Sequence, residues 1–286
     1  MTTKRVPILP TLVTLGNAFC GFAAIEYAVK ANADVHRFYH WIGWSGGMIL
    51  LAMVFDALDG KVARLAHATS DLGRELDSLC DVISFGVAPA VIVKTLATYQ
   101  EYLPRLGWAA GALFVMCAAL RLARFNIETD AAEESHWYFK GLPSPAAAGF
   151  IAALAINISE VRGPYESDVV VAPHEFARVA KALQPVMDGL LAAVPYVALV
   201  LALLMISRVR YVHVLNKMLR GQEPLDYLVK LILLAILAVL TWPYSLPLFI
   251  GGYVFSGIVI WIKELIFRKA PAVAQGPPAN PPATKE

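Results

Sequence analysis

The chain has 286 residues, 58% of them hydrophobic and only 16% charged, with a mean hydropathy of +0.59. A soluble domain needs far less apolar surface, so the composition excludes an ordinary water-soluble fold and describes a polytopic membrane protein. A formal net charge of +2 is too small to argue for a nucleic-acid partner, so none is expected.

Apolar stretches near the roughly 20-residue spanning length predict about eight helices. In chain order they are Leu9 to Ala28, Trp41 to Asp56, Leu72 to Leu96, Trp108 to Leu122, Pro145 to Ile158, Gly189 to Ile206, Leu228 to Leu240 and Leu246 to Phe267. The first runs into Glu26, Tyr27 and Lys30 and lacks a small-residue cleavage site, which reads as a retained helix rather than a cleaved signal. Those starting at Pro145 and Leu228 are short for a crossing and call for tilt or snorkelling flanks. Ser159 to Asp188 mixes charges, Pro and Gly and is expected as an external loop, with an interfacial piece at Phe176 to Leu183. Two regions result: a transmembrane domain over residues 1–269 and a disordered Pro- and Ala-rich tail over 270–286. Cys20, Cys80 and Cys117 all fall in apolar segments without CxxC spacing, so they read as small packed hydrophobes rather than a disulfide framework or zinc site.

Lys and Arg are retained on the cytoplasmic side during insertion. A cytoplasmic N-terminus gathers Lys4, Arg5, Arg64, Arg74, Arg121, Arg124, Lys140, Arg208, Arg210, Lys217, Arg220, Arg268 and Lys269 on one side. The opposite loops keep only Lys30, Arg37, Arg105, Arg162, Arg178 and Lys181. In this topology the inner end of the second helix and the start of the third meet at the cytoplasmic boundary of a cell-membrane protein.

That boundary carries the chemistry. Residues 56–81 read DALDGKVARLAHATSDLGRELDSLCD. An unpaired charge at a membrane-helix centre costs roughly 2.5–3.5 kcal/mol or more, so acids at the ends of apolar spans imply something cationic beside them. At helical spacing, Asp56, Asp59, Gly60, Ala63 and Arg64 share one stripe. Gly73, Asp77 and Asp81 recur every four positions on a second, extended by Ser84. If the stripes face one another, four carboxylates converge in an oxygen-only set suited to one or two hard divalent cations. Gly60, Ala63 and Gly73 remove bulk beside the acids and admit a planar ligand or phosphate, although small residues also permit tight helix packing.

These residues spell a long signature: DG, two residues, AR, eight residues, G, three residues, D, three residues, D, with Asp56 preceding. It resembles the CDP-alcohol phosphatidyltransferase family, and every signature position fits. The segments LPTLVTLGNAFCGF (9–22), SFGVAPA (84–90), RLARFN (121–126) and KGLPSPAAAG (140–149) are similar to its membrane-embedded phosphatidylserine synthase branch, with Thr11 where many relatives carry Asn. The similarity runs from about Leu9 through Gly149. The resemblance implies an all-α helical bundle with a six-helix catalytic core, frequently a homodimer, that transfers the phosphatidyl group of CDP-diacylglycerol to an acceptor hydroxyl and releases CMP. It further implies two divalent cations, Mg2+ or Mn2+, held by Asp56, Asp59, Asp77 and Asp81, with Asp81 as general base. CDP-diacylglycerol is expected against Asp59, Gly60, Ala63, Arg64 and Gly73, with its acyl tails in membrane lipid.

The branch makes L-serine the expected acceptor. Serine brings a carboxylate and an ammonium besides its hydroxyl, and Arg121, Arg124, Asn126, Lys140 and Ser144 stand at cytoplasmic helix ends close to the acids. Arg suits a carboxylate geometrically, but basic residues at such ends also set topology and anchor headgroups. Two other readings stay open: a sister enzyme using glycerol phosphate, inositol phosphate or another alcohol, and a cation transporter whose intramembrane acids bind the permeant ion. The transporter leaves the small residues and Arg64 unexplained.

Overall fold

The computed structural model describes residues 8–65, 71–99, 104–131, 138–166, 174–207, 209–212, 241 and 244–266. Six helical runs among them are long and apolar enough to cross a membrane, and a seventh, shorter apolar run lies at Ser245–Ile260. The protein is a polytopic, all-helical membrane bundle.

α1 (Ile8–Ala33) reaches α2 (Phe38–Leu65) through a single 3-10 turn at Val35–Arg37. α3 (Asp71–Asp81) passes through a π-helical stretch, Val82–Val87, into α4 (Ala88–Tyr99), so one crossing is built of three pieces. α5 (Pro104–Ala131), α6 (Ser144–Glu166), α7 (His174–Ile206) and α8 (Ser245–Ile266) complete the helices described. The span expected at Leu228 to Leu240 and the tail at 270–286 lie outside the described residues.

The long loop expected over Ser159 to Asp188 is corrected by the structure. α6 continues to Glu166 and α7 begins at His174, so helix covers most of that stretch. Polar residues of this stretch lie within the helices, where Arg162 of α6 pairs with Asp188 of α7. α7 also carries Pro185 and Pro195 inside its length. In a packed bundle, neighbouring groups satisfy the backbone that proline frees.

The centre is packed with small side chains. Cys20, Ala24, Ala28 and Ala31 form the buried stripe of α1, and Ala147, Ala148, Ala152 and Ala155 line α6. Lipid is as apolar as leucine, so membrane helices associate through close packing and hydrogen bonds rather than hydrophobic expulsion. The polar links are present: Ser45 donates to the Ala24 carbonyl at 2.6 Å, and Asn32 donates to Thr95 Oγ1 at 3.3 Å. All three cysteines are buried and unbridged.

At the end of the bundle away from the acids, Tyr27 stacks on Trp41 with centroids 5.8 Å apart, Lys30 Nζ sits 4.3 Å over the Trp41 ring, and Trp41 Nε1 donates to Asp34 at 3.1 Å. Such amphipathic rings mark a membrane–water interface. At the acidic end a small antiparallel ribbon departs from helix: β1 (Tyr138–Lys140) pairs with β2 (Arg210–Val212). Gly141, at φ 84°, then turns the chain into α6, its N–H donating to the Val209 carbonyl at 2.8 Å. The entry to α6 is thereby clamped to the end of α7.

Candidate active site

The last turns of α2 carry Asp56 and Asp59 three positions apart, which puts them on one face. Asp77 and Asp81 lie one turn apart on α3. One carboxylate oxygen from each of Asp56, Asp59 and Asp77 lies within 4.8 Å of the other two. Asp59 is only 7% exposed. Asp59 Oδ2 and Asp77 Oδ1 are sealed from solvent and receive no hydrogen bond from the described residues. The Thr14 hydroxyl of α1 is within hydrogen-bonding reach of Asp59, and the Asp59 and Asp77 carboxyls touch each other. Carboxylates this close repel unless a proton or a cation lies between them. Buried acceptor oxygens on hard donors, aimed at one another, fit a divalent cation bound by oxygen.

Asp81 is placed differently. It is also 7% exposed, but it is not one of the three acids that converge. Asn17 Nδ2 of α1 donates to its Oδ1 at 2.9 Å. It remains close enough to Asp56, Asp59 and Asp77 to feel their charges. The π stretch follows Asp81 directly and turns Ser84 onto α1, where its hydroxyl donates to the Asn17 carbonyl at 2.9 Å. Single π turns inside helices recur at functional sites because the extra residue re-aims neighbouring side chains.

Among the described residues, no atom outside the helix's own neighbouring turns lies within 4 Å of the point a Cβ would occupy on Gly60. Gly73 lies on α3, one turn before Asp77. Ala63 and Arg64 belong to the final turn of α2, and their side chains lie outside the described residues.

Of the residues expected around serine, two meet: Arg121 Nη1 of α5 donates to Ser144 Oγ, the first residue of α6, at 3.0 Å. The guanidinium is within electrostatic reach of Asp81, and its Nε is buried without a partner among the described residues. Asn126 Nδ2 donates to Ser78 Oγ at 2.9 Å, fastening α5 to α3 beside Asp77. Arg124 is half-buried on α5, three positions after Arg121. Lys140 ends β1 opposite Arg210, and its side chain lies outside the described residues.

Sequence reasoning passed over Thr14, Asn17, Ser78 and Tyr253. Thr14, Asn17 and Gly21 stand three and four positions apart on α1, a polar and small stripe in an apolar span, and that spacing was the available signal. Tyr253 of α8, within electrostatic reach of Arg121, has no comparable signal because its partner lies 132 positions earlier (253 − 121).

Residues 7–183 match the family model for CDP-alcohol phosphatidyltransferase. A Helicobacter pylori (strain J99) CDP-diacylglycerol–serine O-phosphatidyltransferase is 31% identical over 272 residues, covering 94% of this chain and 98% of that protein. Proteins of the same name from Bacillus subtilis and Saccharomyces cerevisiae are 34% and 36% identical, over 54% and 50% of this chain and 78% and 51% of their own lengths. With the matched region spanning well over half of the sequence and containing the converging aspartates, the chain belongs to the CDP-alcohol phosphatidyltransferase family.

Proposed function

We propose that this protein transfers the phosphatidyl group of CDP-diacylglycerol to the hydroxyl of L-serine, giving phosphatidylserine and CMP. The observation that carries the reading is the meeting of Asp56, Asp59 and Asp77, with Asp81 beside them, in a family whose full-length relative from Helicobacter pylori bears that activity in its name.

The three converging acids are the holders of divalent metal, Mg2+ or Mn2+. Their buried, unpartnered oxygens suit that task, and Asp81 completes the set of four expected from the signature. Divalent cations bound there neutralise the diphosphate and stabilise the departing CMP. Everything else falls to side chains. The face at Gly60, together with Gly73 of α3, receives the cytidine diphosphate, and Ala63 and Arg64 lie along the Gly60 stripe to meet ring and phosphate. Asp81 takes the proton of the acceptor hydroxyl: Asn17 fixes one of its oxygens and leaves the other to the substrate. The Arg121–Ser144 pair, held over Asp81, receives the serine carboxylate, with Arg124, Asn126 and Lys140 around it.

The reading places this site at the cytoplasmic face of the cell membrane, where serine arrives from water and the acyl tails stay in lipid. It divides the chain into a membrane domain over 1–269 and a tail over 270–286, and pairs two copies as a homodimer, which cross-linking in native membranes tests. The decisive assay supplies purified protein with CDP-diacylglycerol, Mg2+ or Mn2+, and serine, glycerol 3-phosphate or inositol in turn, and identifies each lipid product by mass. Serine-dependent CMP release with phosphatidylserine as product is expected. Turnover with a phosphorylated alcohol or inositol but not serine overturns the choice of acceptor.

A further inference from the structure

Asn17 is fully buried in α1, and its amide is half used. Nδ2 donates to Asp81 at 2.9 Å, while Oδ1 has no partner among the described residues. A buried polar atom without a partner costs stability, and native structures keep few of them without a reason. The residue is also held from behind. Its carbonyl accepts from Ser84 of the π stretch, and at Gly21, one turn on, a Cβ would collide with Ser84, so α1 is pressed against this turn of the third crossing. The amide therefore has little freedom to swing elsewhere.

We propose that Asn17 Oδ1 is a recognition point for the acceptor, accepting a hydrogen bond from its ammonium group. The inference rests on the function proposed above and adds the selection rule. An amide whose N–H is committed to the general base presents only an acceptor. An ammonium satisfies it, whereas a phosphate, a carboxylate or any other donor-free anion meets it with repulsion. The position agrees: Asn17 donates to Asp81, which takes the hydroxyl proton and is not one of the three acids that converge. Arg121 of α5, within electrostatic reach of Asp81 and bonded to Ser144, then meets the carboxylate. A donor-only group and an acceptor-only group flanking one base fit an amino acid better than a sugar phosphate or polyol.

The test compares L-serine as substrate with L-glycerate, which has the same configuration and replaces the ammonium by a hydroxyl, as competitive inhibitor. The readout is the ratio of the glycerate inhibition constant to the serine KM, in wild type, Asn17→Ala and Asn17→Asp. Losing a hydrogen bond to a charged group is a change of about tenfold or more. Asn17→Ala is expected to lower the ratio about tenfold, with the KM for CDP-diacylglycerol within about twofold. Asn17→Asp keeps an acceptor oxygen but loses the donor to Asp81, so it should keep or raise the ratio while kcat falls. An unchanged ratio in Asn17→Ala, an equal loss in both variants, or a shifted Mg2+ requirement with the ratio unmoved overturns the proposal. Because wild-type turnover of serine is measured first, failure there defeats the proposed function itself, while failure in the variants alone defeats only the role of Asn17.

Discussion

Crowding three carboxylates has a cost that can be measured without any turnover. Asp56, Asp59 and Asp77 each place an oxygen within 4.8 Å of the other two. At an effective dielectric of about 20, each pair of full charges at that separation repels by about 3.5 kcal/mol. The protein can escape by keeping one carboxyl protonated, which at pH 7 costs about 1.36 kcal/mol for each pH unit above an ordinary Asp value near 3.9, or about 4 kcal/mol. That escape caps the penalty. Asp77→Asn removes two of the three repulsions, and the new amide can donate to Asp59. Chelated protein should then gain about 2–4 kcal/mol at pH 7, or a Tm rise of about 5–15 °C at about 2–4 °C per kcal/mol. At pH 5 the escape costs only about 1.5 kcal/mol, so the gain should shrink to a few degrees. Adding Mg2+ should raise the wild-type Tm and leave the variant little changed. Thermal unfolding in detergent, with chelator or with Mg2+ at both pH values, reads all of this. A chelated Asp77→Asn protein no more stable than wild type at pH 7, or equally stabilised at both pH values, would show that the three acids do not share one charged site.

Asp81→Asn should abolish CMP release while the affinity for CDP-diacylglycerol stays within about twofold, and an active variant removes Asp81 as the base. Arg121→Lys keeps the charge but loses the fork that reaches Ser144, so the KM for serine should rise about tenfold and that for CDP-diacylglycerol hardly at all; an unchanged serine KM excludes Arg121 from the acceptor pocket. Gly141→Ala forces a side chain into positive φ and against the Met205 carbonyl, which should cost about 1–2 kcal/mol or more in thermal stability and lower the yield of folded protein. A variant as stable as wild type would show that the clamp between α6 and α7 is not needed.

Much of this architecture could be read in advance, and the reason is specific to membrane chains. The bilayer demands long apolar runs, so α1 to α7 announce themselves through composition alone. The acids were conspicuous for the same reason: Asp56, Asp59, Asp77 and Asp81 stand where charge is expensive, and helical spacing put them on two stripes, while only the fold brings Asp56, Asp59 and Asp77 together. What composition hides is where polar sequence continues a helix. The charged and Pro-containing stretch from Ser159 to Asp188 reads as loop, yet α6 and α7 run through most of it, with Arg162 and Asp188 paired between them.

Harder to read is any group whose role depends on an element far along the chain. Asn17 is an unremarked amide in an apolar span until α3 brings Asp81 to its nitrogen, 64 positions later. Ser144 becomes a partner for Arg121 only because β2 and the end of α7 hold the entry to α6 in place, through Val209 and Leu204 accepting from Gly141 and Leu142. Those holding residues, like α8 with Tyr253, lie beyond the matched region that ends at residue 183. The site thus has two halves of different origin. The acids are local to one 26-residue stretch that the family signature spans, whereas the groups we propose for the acceptor come from α1, α5, α6 and the helices that follow. Choice of acceptor should therefore respond to substitutions in residues 200–266, at Met205, Tyr211 and Tyr253, that leave the handling of CDP-diacylglycerol intact.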